Sequence, residues 1–98
     1  MKILINLILI FIINLFGEQR IITLSPSINE IVFALGSGKN IVANTKFCNF
    51  PKESKQIPKV GGYASISLEK ILVSRPTLVL AQDYDKNLIT NIKKLKLN

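Results

Sequence analysis

Short β-branched runs alternate with amphipathic stretches along this chain, and that alternation constrains its fold more than any other feature. Arg20-Ile21-Ile22-Thr23-Leu24 reads as a buried strand that ends at Ser25-Pro26-Ser27, a turn built to start a helix. Beyond it Ile28, Ile31, Val32 and Leu35 fall at i, i+3, i+4 and i+7, one apolar stripe of a helix, and Gly36-Ser37-Gly38 supplies residues suited to a left-handed cap. Ser27 and Glu30 have capping-box spacing, while Ser25 with Pro26 at the first helical position is an equally good start. Ile41 to Asn44 is a second short strand. Lys46 to Gly62 then forms a long connection with Pro51, Pro58, Gly61 and Gly62, broken by a brief helical turn around Lys52 to Lys55. A connection of this length is more often functional than idle. Leu68, Ile71 and Leu72 mark another helix that Ser67 can cap and that stops before Arg75-Pro76, and Leu78 to Ala81 is a third strand. Leu88, Ile89, Ile92 and Leu95 oppose Lys93, Lys94 and Lys96 in a last helix whose start lies near Asp83 and Asp85. Strands separated by helices predict an α/β fold with a parallel sheet, and 98 residues are enough for one small domain.

The front of the chain is of a different kind. Lys2 precedes Ile3 to Phe16, apolar apart from Asn6 and Asn14, and Gly17 precedes the polar Glu18-Gln19-Arg20. A membrane span takes about 20 apolar residues, whereas a secretory leader has a core of about 7 to 15. Residues 1–17 therefore read as a signal peptide and 18–98 as the exported domain; the alternative is an uncleaved anchor at the outer face of the inner membrane. No Cys follows the apolar run, which excludes lipoprotein processing.

The composition narrows the chemistry. With no His and one Cys, a zinc centre has no ligand set, and the single Cys48 cannot close an intramolecular disulfide. Cys48 is either a buried inert thiol or one whose partner lies elsewhere. The net charge is +7, yet no basic run is interleaved with aromatics, so a solvated basic surface is expected and no nucleic acid. Gly36-Ser37-Gly38-Lys39 lacks the spacing of a phosphate loop and ends a helix instead of opening one. Ser25 has no His to act as its base, so it reads as a turn or capping hydroxyl and not a nucleophile. Its βα turn nevertheless lies at the carboxyl end of a parallel strand, the ordinary ligand edge of such sheets. Phe47, Phe50 and Tyr63 can be core plugs or a binding wall, and composition alone favours the plug. Glu69 reads as a solvated first-turn acid.

The order and spacing of these blocks, Arg20 to Gly36, Phe47-Cys48-Asn49-Phe50-Pro51, Lys59-Val60-Gly61-Gly62-Tyr63, Ser67 to Leu72 and Arg75 to Ala81, closely resemble the amino-terminal lobe of the periplasmic substrate-binding proteins for cobalamin and ferric siderophores or haem. The resemblance covers Arg20 to Asn98. It implies a three-layer α/β lobe of a two-lobed receptor that binds ligand between its lobes as a monomer, without cofactor or catalysis, and delivers it to an inner-membrane ABC permease. It further implies that Ser25 and Pro26 lie at the cleft edge, that Phe47 and Tyr63 are aromatic wall positions, and that Glu69 pairs with arginines of the permease. Gln82 occupies a wall position where cobalamin binders commonly place an aromatic, a departure that weakens cobalamin without selecting haem or a siderophore. The second lobe is absent from the sequence. The expected function is that of a receptor fragment, the alternative a truncated remnant that transports nothing.

Overall fold

The computed structural model describes residues 19–62, 65–82 and 86–95. The proposed signal peptide, Tyr63, and the Asp83 and Asp85 expected to start the last helix lie outside the described residues. Three short strands, β1 (Ile21–Thr23), β2 (Ile41–Ala43) and β3 (Leu78–Leu80), form one parallel sheet in the order β2-β1-β3. The helices are α1 (Pro26–Ala34), α2 (Leu68–Val73) and α3 (Lys86–Lys94), with 3-10 turns at Gly38–Asn40 and Lys52–Gln56. The expected alternation of strand and helix is thus present, and the Lys52–Gln56 turn lies where a helical turn was expected. The turn at Gly38–Asn40 has no apolar periodicity that would announce it.

Side-chain alternation along the strands sorts the core into two layers. Ile21, Ile41, Leu78 and Leu80 face Ile28, Val32 and Phe33 of α1. Ile22, Leu24, Ala43, Val79 and Ala81 face Ile71 and Leu68 of α2, Ile92 and Leu88 of α3, and Val60. Helices on both faces explain why β1, the central strand, is buried along its whole length. Register slips between Ile21 and Ile22 on the β2 side, so that Ile21 pairs with Ile41 but Ile22 with Ala43. That irregularity lets Val42 and Ala43 pack into the same layer.

One expectation about α1 is corrected. Its buried face is not the stripe Ile28, Ile31, Val32, Leu35, because Ile31 and Leu35 are exposed. The helix instead turns Asn29 and Val32 fully inward, with Ile28 and Phe33 half-buried. Asn29 carries hydrogen bonds that the apolar pattern does not register, and these hold the helix rotated toward it. The helix ends at Ala34 and, past the cap Leu35, the chain turns out through Gly36, whose φ of +85° is the left-handed conformation expected there.

Candidate functional site

Parallel strands bring all their outgoing loops to one edge of the sheet. In the order β2-β1-β3 the chain leaves β1 toward β2 on one side and crosses to β3 on the other, so the crevice falls between the carboxyl ends of β1 and β3. Two of the expected site segments meet there. Gln82, just past β3, donates from Nε2 to Ser27 Oγ at 3.0 Å, and Leu24 N donates to Leu80 O at 2.9 Å. Ser25, not Ser27, is the cap of α1: its Oγ accepts from Ile28 N at 3.2 Å and Pro26 follows at the first helical position. Its side chain is enclosed by the fold, so at this turn a ligand would meet the half-buried Pro26 and the exposed Ser27.

The connection after β2 closes the other side of this edge. Phe47 and Phe50 are 44% and 68% exposed, so they are surface aromatics and not the core plugs that composition favours. Between them Cys48 is fully buried, as the inert-thiol reading expects, and its Sγ lies 3.3 Å from Thr45 Oγ1. Gly62 passes under the Phe47 ring. A Cβ there would come to 2.9 Å from Lys46 Cε and 3.1 Å from Phe47 Cε2, so glycine lets the backbone approach both side chains without displacing them.

What fixes this loop is a set of buried polar side chains that sequence reasoning missed. Asn29 uses all its hydrogen-bonding capacity. Its Oδ1 accepts from Thr23 Oγ1 at 2.9 Å and Asn44 Nδ2 at 3.1 Å, and its Nδ2 donates to Ser54 Oγ at 2.8 Å and to the Phe50 carbonyl at 3.1 Å. Lys59 Nζ donates to Asn44 Oδ1 and Ser54 O, each at 2.6 Å, and to Cys48 O at 3.4 Å. Among the described residues no buried side-chain nitrogen or oxygen is left without a partner. Burial holds the Lys59 ammonium below its ordinary pKa, and the neighbouring Cys48 acts in the opposite sense. The one signal that could have found the network is the placement of polar Asn29 and Asn44 within otherwise apolar strand and helix patterns.

Glu69 stands apart from this edge. It is exposed in the first turn of α2, which Ser67 caps by accepting from Lys70 N at 3.2 Å. With Pro58, Val60, Lys70 and Val73 it lines a cavity of about 390 Å³ to which neither Phe47 nor Gln82 contributes.

Comparison with known proteins agrees with this fold. Residues 21–98 match the family described as periplasmic binding protein. The chain belongs to that family. A vitamin B12-binding protein of Vibrio vulnificus strain YJ016 is 37% identical over 83 residues, covering 83% of this chain and 30% of the relative. Among solved structures, the periplasmic vitamin B12 binding protein BtuF of Vibrio cholerae superposes with a TM-score of 0.76 at 28% identity, over 82% of this chain and 32% of that one. The periplasmic heme-binding protein RhuT of Roseiflexus sp. RS-1 gives 0.75 at 31% identity, over 83% and 32%. This periplasmic binding protein sequence therefore spans about 30% of the length of the curated relatives it matches.

Proposed function

We propose that this chain supplies one wall of the ligand cleft of a substrate-binding component of an ABC importer, capturing cobalamin or an iron chelate such as haem or a ferric siderophore in the periplasm. The single observation that carries the reading is the pair of exposed aromatics, Phe47 and Phe50, held by buried side chains at the carboxyl edge of the parallel sheet. Corrins and porphyrins present wide, flat, largely apolar faces, and aromatic rings offer large contact areas with little conformational entropy to lose. Pro26, Ser27 and Gln82 would border the ligand on the β1/β3 side, and the family resemblance adds Tyr63 as a further aromatic contact. The vitamin B12- and heme-binding relatives support the ligand class without choosing within it. The role is binding, not catalysis: no His is present to activate Ser25, whose hydroxyl is engaged as a helix cap.

Absorbance titration of the chain with cyanocobalamin and with haemin tests this directly. At least one should give a saturable spectral change, and Phe47→Ala should weaken it by about five-fold, the worth of one aromatic stacking contact of about 1 kcal/mol. No saturable change with either ligand would contradict the reading and favour a remnant that folds without binding; an unchanged dissociation constant in Phe47→Ala would remove Phe47 from the wall.

A further inference from the structure

The loop that carries Phe47 and Phe50 has little regular structure of its own. Within it Cys48 N donates to Thr45 O and Ser54 N to Pro51 O, both local turns. The carbonyls that would tie the loop to the sheet instead accept from side chains. Cys48 O and Ser54 O accept from Lys59, and Phe50 O accepts from Asn29. The two carbonyls that Lys59 grips bracket the segment Asn49 to Glu53, which contains Phe50.

Lys59 also sets the direction of the whole network. An ammonium can only donate. The short contact from Nζ therefore requires Asn44 to present Oδ1, which turns Asn44 Nδ2 toward Asn29 and requires Asn29 to present Oδ1 in turn. Asn29 Nδ2 is then left facing Phe50 O and Ser54 Oγ. One amine thus orders two amides and, through them, the backbone beneath the exposed ring of Phe50.

We propose that Lys59 is a positioning residue for the aromatic wall: its side-chain nitrogen, seated among Asn44 Oδ1, Ser54 O and Cys48 O, holds the Thr45–Pro51 loop against the carboxyl edge of the sheet. The value of this placement to a ligand rests on the reading that Phe47 and Phe50 face one. The holding of the loop itself does not, and the two can be tested separately.

The chain's one Cys reports on the loop from inside it. Cys48 is fully buried and its carbonyl oxygen accepts from Lys59 Nζ, so under native conditions well below the melt its reaction with a disulfide reagent such as DTNB reads openings that expose this loop. In Lys59→Ala the labelling rate should rise by at least about ten-fold, because three charge-assisted hydrogen bonds are lost together. The excised piece of the side chain is n-propylammonium. Added in excess, it should return the rate toward that of the native protein, whereas tetramethylammonium, with no N–H to donate, should not. An unchanged or slower rate in Lys59→Ala, or equal effects of the two cations, overturns the proposal. If Lys59→Ala shows no cooperative melt, Lys59→Arg decides: a planar guanidinium cannot direct single N–H groups at these three oxygens as an ammonium does, so labelling should still be about three-fold faster or more, and a native rate overturns the proposal. Titration with cyanocobalamin and haemin then separates the two readings. Any loss of affinity in Lys59→Ala should be absent when Phe47→Ala and Phe50→Ala are both already in place, and additive losses count against action through the wall. Absence of binding in the native chain refutes the ligand reading and leaves the labelling result to decide the role of Lys59.

Discussion

Asn29 shows how a single residue can join fold to site. It lies on α1 between half-buried Ile28 and exposed Glu30, yet it bonds β1 through Thr23, the end of β2 through Asn44, the aromatic loop through Phe50 and the 3-10 turn through Ser54. Replacing it by alanine leaves several buried partners unsatisfied at once. Asn29→Ala should therefore lower stability by about 3 kcal/mol in urea unfolding, well beyond the loss of one average hydrogen bond. A loss under about 1 kcal/mol would mean that water replaces the amide and that the network is not the loop's main anchor. The apolar stripe read from spacing alone placed Ile31 and Leu35 inward, because periodicity counts hydrophobic residues and is blind to a polar side chain whose partners come from distant segments. Ser25 illustrates the complementary case. Two serines had equal local claims to the cap, and the hydrogen bond from Ile28 N decided for Ser25. Tyr63, the other aromatic that the family resemblance marks, lies outside the described residues.

At the scale of elements, α2 is the clearest example of a helix held at both ends. Ser67 caps its start, and Arg20 at the mouth of β1 caps its end, donating from Nη2 to Ser74 O at 2.8 Å and from Nε to Arg75 O at 3.1 Å. A cation at the negative end of a helix also complements its dipole. Arg75 itself takes a φ of 50°, the left-handed conformation that lets the chain turn out of α2 toward β3. The helix so fixed turns Ile71 into the core and leaves Glu69, Leu72 and Val73 on its exposed side. This is the face we propose for docking to the permease, with Glu69 as its charged guide. Rim charges of this kind act mainly on encounter and orientation. In a two-lobed receptor that carries this segment, Glu69→Arg should slow importer-dependent uptake several-fold while ligand affinity stays unchanged; normal uptake would remove Glu69 from the docking surface. The three helices and three strands were legible in the sequence because each is a short run with its own apolar pattern, and α1 and α2 also carry Ser, Pro or Gly at their ends. The aromatic loop was legible only as a gap in periodicity. Its shape is set by Asn29 and Lys59, which lie 21 residues before Phe50 and 11 after Cys48.

At the scale of the whole molecule, the parallel sheet separates two regions. The carboxyl edge gathers Pro26, Ser27, Gln82, Phe47 and Phe50, while the cavity beside α2 gathers Glu69, Lys70 and Val73. The family resemblance implies separate residues for ligand and permease; in the fold Ser27 and Gln82 share an edge, while Glu69 lies on α2. Three parallel strands suffice for this because their order, β2-β1-β3, opens a crevice beside the central strand. Half a cleft covers one face of a ligand, so affinity should be modest even where the wall is well formed. Where a ligand binds is decided by amide chemical-shift mapping of the isotope-labelled chain, titrated with cyanocobalamin and with a diamagnetic metalloporphyrin. Binding at the aromatic wall predicts shifts concentrated at residues 25–29, 45–50, 61–62 and 81–82, with α2 little changed; shifts confined to α2 and Pro58 to Val60, or none with either ligand, would contradict it.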